Sequence, residues 1–195
     1  MGILGRFFAL IGFVVVLAGA GAGIYFMDEI KAVQKLDKKA AGVYLDMAKV
    51  IIETGNAAEA TVWRVPLEEG VSVKDAEEAM RSVANEHNIK NVGELPLYKQ
   101  VEAMTGKPYR VVGIYMFCNP ITATRMLDYS DAFSAYLPCR IAMVEDKKGK
   151  IWLYTLNMDL MIYGGTPLPN ELKEEALSVK NIILDIMHRG AQGDF

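Results

Sequence analysis

From Phe7 to Met27 the chain is apolar and uncharged, bounded by Arg6 on one side and Asp28-Glu29 on the other. At about 1.5 Å of rise per residue the run spans roughly 30 Å, the hydrocarbon thickness of a bilayer, which predicts a membrane-spanning anchor over residues 1–27. After Asp28 polar positions return, and apolar residues recur at Ile30, Val33, Leu36, Ala40, Val43, Met47, Val50 and Ile51. Steps of three and four predict that the helix continues outward as an amphipathic stalk over 28–56, ending at Gly55-Asn56. Such a stripe has to pack on the chain's own domain or on another subunit, with Lys38 and Lys39 on its solvated face.

Residues 57–195 carry a mixed pattern. Thr61–Val65 reads as a strand, and Ser72 with Asp75 as the cap of a helix through about Glu86. Leu97–Met104 reads as a short helix stopped near Gly106 and Pro108. The run Tyr109–Phe117, β-branched and aromatic, predicts a central strand buried on both faces. Ile121–Tyr136 reads as one helix. Arg140–Glu145 and Lys150–Leu156 read as two strands joined by the hairpin signal Asp146-Lys147-Lys148-Gly149. A final amphipathic helix is expected from about Glu171 to Arg189, ended by Gly190. Helices interleaved with a hairpin define the expected fold class as α+β, a single sheet with helices packed on a face.

Ala18-Gly19-Ala20 and Ala20-Gly21-Ala22 resemble signal-peptidase sites, but an apolar run of about 21 residues exceeds the 7–15 of a signal peptide and favours a retained anchor. Gly12, Gly19 and Gly23 are candidates for close helix packing in lipid. Arg6 before the span suits a cytoplasmic amino terminus, which places the domain in the periplasm of a bacterial inner membrane. Arg6 at the position where Ser or Thr follows an initial Met-Gly excludes a myristoylation signal.

Without the anchor about 168 residues remain, enough for one core. The net charge of −3 shows neither a basic face nor an acidic tail, so nucleic acid is not an expected partner. Membrane lipid and other membrane-protein subunits are, and a second copy is a further candidate. No cofactor or metal is expected. His87 and His188 lack metal spacing and suit helix carboxyl termini, no haem attachment motif exists, and Met116, Met143, Met158 and Met161 read as gap-fillers rather than copper ligands.

Two cysteines remain. Cys118 lies in Phe117-Cys-Asn-Pro120 and Cys139 in Leu137-Pro-Cys-Arg140, far enough apart for a helix to return the chain to the same sheet edge. A structural disulfide, a redox or binding pair, and two unpaired buried thiols all fit. Asn119-Pro120 suits a turn that opens the next helix, whose amides are also a candidate anion site.

The run Tyr109–Pro120 ending in Cys118-Asn119-Pro120, followed by a helix and then Leu137-Pro138-Cys139-Arg140, resembles the bacterial and archaeal family called domain of unknown function three hundred and two. The resemblance covers roughly Ala60 to Gly165 and implies a compact α+β domain that often dimerises, with Cys118, Asn119, Pro120, Leu137, Pro138 and Cys139 as a signature patch. It implies no catalytic activity, and leaves the anchor, stalk and final helix outside the shared domain. The function expected is a single-pass accessory subunit of a larger membrane complex, respiratory or sulfur-metabolic. The alternative is a periplasmic redox, small-ligand or sulfur-binding domain using Cys118 and Cys139. No catalytic constellation points to an enzyme.

Overall fold

The computed structural model describes residues 2–195; Met1, the first residue of the expected anchor, lies outside them. Helix α1 (Ile3–Tyr25) has 23 residues and is about 34 Å long. It is long and apolar enough to cross a membrane, and none of that span is buried by the rest of the chain. Gly12, Gly19 and Gly23 fall within an arc of about 40°, and an added Cβ at each would meet only open space.

The stalk is two helices rather than one, α2 (Met27–Gln34) and α3 (Ala40–Thr54). The joint between them is built on Asp37, which is only 7% exposed. Its N–H donates to the Gly165 carbonyl at 2.8 Å. Its carboxylate accepts from the Lys39 N–H at 2.9 Å and from the Lys173 ammonium at 2.5 Å. Lys39 and Lys173 both lie over the buried Tyr163 ring, 4.6 and 4.9 Å from its centroid, so Lys39 is not simply a solvated residue. A continuous helix would spend the Asp37 N–H on its own ladder, and the tertiary partners win here.

After α4 (Ala57–Ala60) come β1 (Val62–Pro66), α5 (Val73–Glu86), β2 (Lys90–Leu95), α6 (Leu97–Thr105), β3 (Val112–Cys118) and α7 (Pro120–Tyr129). A 3-10 helix (Asp131–Tyr136), β4 (Cys139–Glu145), β5 (Ile151–Leu156), α8 (Asp159–Tyr163) and α9 (Asn170–Gln192) complete the chain. The strands form one antiparallel sheet in the order β1-β5-β4-β3-β2. The fold is α+β, as the interleaved pattern predicts.

Strand β3 lies between β4 and β2 and alternates in burial, so it is not buried on both faces. Gly113, Tyr115 and Phe117 are buried, as are Ile141 and Met143 on β4 and Leu153 and Thr155 on β5. Pairings Tyr115↔Ile141, Ile141↔Thr155 and Met143↔Leu153 align them on one face. That face meets the core side chains of α5 and α9, Met80, Val83, Ile183, Ile186 and Met187. Both edges of the sheet are irregular: β1 ends in Pro66, and β2 carries a bulge between Asn91 and Gly93. The polar sequence of β2 hides it from a periodicity search.

Three other departures have local causes. Ser130 is extended (φ −162°) and ends α7 before the 3-10 helix begins, so the expected helix 121–136 is broken. Gly193, at φ 68°, caps α9. Gly190 is internal to α9, where a Cβ would lie 2.5 Å from Met80 Cγ, so this glycine sets the approach of α5 to α9 and does not end the helix. The capping box of Ser72 with Asp75 and the Asp146–Gly149 hairpin, in which Asp146 accepts from Lys148 and Lys150 N–H at 2.8 and 3.0 Å, form as expected.

Gly190→Val should lower unfolding free energy by about 1–3 kcal/mol through overpacking against Met80, measured by chemical denaturation of the full chain in detergent. Lys173, then the Lys39 N–H, hold the Asp37 carboxyl below its usual range. Its contribution is therefore complete above the ordinary carboxylate pKa of about 3.9 and is lost as pH falls through the lowered folded value. Asp37→Asn should cost about 1–3 kcal/mol at neutral pH, and its Tm deficit should shrink as the buffer is taken below about pH 4. A deficit independent of pH would contradict this account.

Candidate functional site

The strand ends that carry the two cysteines meet at one end of the sheet. Cys118 is the last residue of β3 and Cys139 the first of β4. The register pairs Cys139 with Phe117, not with Cys118, and successive residues of a strand point to opposite faces. The two cysteines are thus offset by one position, and both are free thiols; the disulfide that the sequence allows is not what the structure contains.

Asn119 accepts from the Ile121 and Thr122 N–H groups at 3.1 and 3.3 Å and caps α7, with Pro120 at its first position. The signature Cys-Asn-Pro is therefore turn chemistry, and the amides that would greet an anion are already taken by the cap. Leu137-Pro138 is a cis peptide leading into β4.

Cys118, where β3 ends, and Cys139 both border a cavity of about 40 Å³, together with Leu137, Met126, Met158 and Met161. This is room for about one or two water molecules, too little for an organic substrate. Burial pushes the Cys139 thiol up to about 11, the nearby Cys118 sulfur adding to the rise, and burial also raises Cys118. Neither is the low-pKa thiolate of a fast redox exchanger. Of the four methionines considered from sequence, Met158 and Met161 reach this cavity. Met143 lies in the core, and Met116 lies against Gly93 of β2. Met126 also lines the cavity, and no spacing in the sequence points to it.

Met161 also borders a wider groove of about 320 Å³. Its aromatic wall, Tyr129, Phe133 and Tyr136, has ring centroids 6.1 and 6.4 Å apart in succession. The break at Ser130 builds this wall, because three residues per turn then place Phe133 and Tyr136 one above the other.

The remaining polar clusters tie elements together. Tyr115 donates to Glu77, and Arg81 holds Glu94 through two bonds of 2.7 Å, joining α5 to β2 and β3. His87 ends α5 and meets Asp185 of α9 at 2.7 Å. Among the described residues, no group of three or more His, Cys, Asp or Glu side chains is placed to hold a metal ion.

A two-layer α+β domain behind a long apolar helix is the class of protein these observations define. The chain belongs to the family described as Domain of unknown function DUF302, whose model matches residues 63–189. The matched span runs through most of α9, so the final helix belongs to the shared domain, contrary to the limits expected from sequence. The reason is physical, since α9 covers the buried face of the sheet. The crystal structure of an uncharacterized conserved DUF302 protein from Bacillus stearothermophilus has a similar fold, with a TM-score of 0.54 and 15% identity over 66% of this chain and 97% of that one. No curated protein matches the chain.

At pH 8 a thiol at about 11 is roughly one part in a thousand thiolate, against about a quarter for an unperturbed thiol near 8.5. Iodoacetamide should therefore alkylate Cys139 at least about 100-fold more slowly in the folded chain than after denaturation, as followed by mass spectrometry. Equal rates in the two states would refute the buried-thiol description.

Proposed function

We propose that the protein is a single-pass, membrane-anchored accessory subunit that docks onto a larger membrane complex, respiratory or sulfur-metabolic, with its domain on the periplasmic side of a bacterial inner membrane. The observation that carries this reading is the excess of apolar surface on α3. At about 100° per residue, Ala40, Val43, Met47 and Val50 share one arc, and these are the residues buried or half-buried. A second, wider arc beside it, about 120° against about 80°, holds Ala41, Tyr44, Leu45, Ala48, Ile51 and Ile52. It is exposed throughout, Leu45 to 62% and Ile52 to 83%. Asp46, Lys49 and Glu53, with Gly42, make the polar ridge. A helix that served its own domain alone would need one apolar stripe. This one carries two, a short distance along the chain from the membrane helix, and contiguous exposed apolar surface of this kind marks an interaction site.

A second reading, a redox or sulfur-binding domain using Cys118 and Cys139, is supported by their shared cavity and weakened by their raised thiol pKa values. Rapid, reversible labelling of both thiols at neutral pH would promote it.

Purified from native membranes in mild detergent, the tagged chain should bring membrane subunits with it. Leu45→Lys with Ile52→Lys should release them while leaving the Tm within a few degrees, because both positions are already exposed. Recovery as a clean monomer or homodimer at every concentration would overturn the docking reading.

A further inference from the structure

The composition of the small cavity at the ends of β3 and β4 is not that of an ordinary core void. Two cysteines and eleven methionines in 195 residues would put about one sulfur among any twelve residues. Five of the twelve lining this cavity carry sulfur: Cys118, Cys139, Met126, Met158 and Met161. They arrive from four different elements, β3, β4, α7 and the α8 turn, so the convergence is tertiary and no local repeat explains it.

The wall's two oxygen-bearing side chains are engaged elsewhere. Asn119 accepts the first amides of α7, and Thr122 donates to Glu175 at 3.3 Å. The remaining side-chain donors are sulfurs, which suit soft metal ions and not the oxygen-seeking Mg²⁺ or Ca²⁺. Thioethers add a further restriction, because zinc is held by thiolate, imidazole and carboxylate, whereas Cu(I) accepts methionine. The cavity is apolar and of ionic size, which favours an occupant that leaves no net charge behind. A monovalent ion with one thiolate and neutral sulfur partners meets that condition.

We propose that this cavity is a binding site for a soft monovalent metal ion, Cu(I) in the cell, held by the Cys139 thiolate and the thioethers of Met126, Met158 and Met161, with Cys118 bordering the site. Binding exchanges a proton for the metal: a cysteine S–H bond breaks, an S–Cu bond forms, and the proton leaves to solvent with no change in oxidation state. The inference does not depend on the docking reading of α3, and it gives Cys139 a role that needs neither a disulfide nor a fast nucleophile.

The test uses the reduced full chain in detergent under anaerobic conditions. Cu(I) is supplied with a chromophoric bicinchoninate competitor, and Ag(I) serves as a redox-inert second probe. The chain should retain one equivalent of either ion against the competitor, and X-ray absorption should show a first shell of sulfur alone. Cys139→Ser should weaken retention about 100-fold or more and bring oxygen into the shell. The near-isosteric Met161→Leu, which preserves packing volume, should weaken it about tenfold with an unchanged melting curve. Failure to retain stoichiometric Cu(I) or Ag(I), a shell of nitrogen or oxygen in the wild type, or full affinity in Met161→Leu would overturn the proposal. Should Cys139→Ser fail to fold, the Met161→Leu measurement decides alone.

Discussion

Everything in the domain depends on a pleat that hides one side of three adjacent strands. Tyr115 and Phe117, Ile141 and Met143, and Leu153 and Thr155 all point the same way because the registers of β3, β4 and β5 align them, and a slip of one residue would turn the whole set over. The helices α5 and α9 can cover that set only by approaching closely, which is why a glycine stands at position 190. Fixing the register also fixes where β3 hands over to α7 and where β4 begins. Both cysteines lie at those handover points, so the geometry of the candidate site follows from the packing of the core.

Much of this was legible in the chain. The apolar run of α1, the hairpin of β4 and β5, and the caps at Ser72 and Asn119 are local features, written in residues a few positions apart. What escaped was tertiary. Asp37 sits in a lysine-rich stretch that reads as solvated, and only its partner Lys173, far along the chain, makes it the joint between α2 and α3. Strand β2 is polar and bulged, so alternation does not reveal it. Gly190 reads as a helix stop because its neighbour Met80 is distant in sequence. The cysteines were visible as a pair, but the methionines around them share no spacing. The aromatic wall of Tyr129, Phe133 and Tyr136 depends on a helix break that Ser130 does not announce.

The two proposed sites differ in kind and sit on different parts of the molecule. The exposed arc of α3 is broad, belongs to the segment outside the family's shared domain, and lies a short distance along the chain from α1. The sulfur-lined cavity is small, partly open and inside that domain. Asp37 links these regions, since its N–H holds the Gly165 carbonyl, and Gly165 borders the groove that shares Met161 with the cavity. The family's fold and the segment that follows α1 are thus in direct hydrogen-bonded contact.

A bare strand edge would template runaway pairing between chains wherever copies meet side by side. Pro66 withholds a donor from one margin, and the kink at Asn91–Gly93 bends the other out of line. With both margins blunted, the sheet stops at five strands, and its backbone offers a neighbouring chain no straight edge to extend.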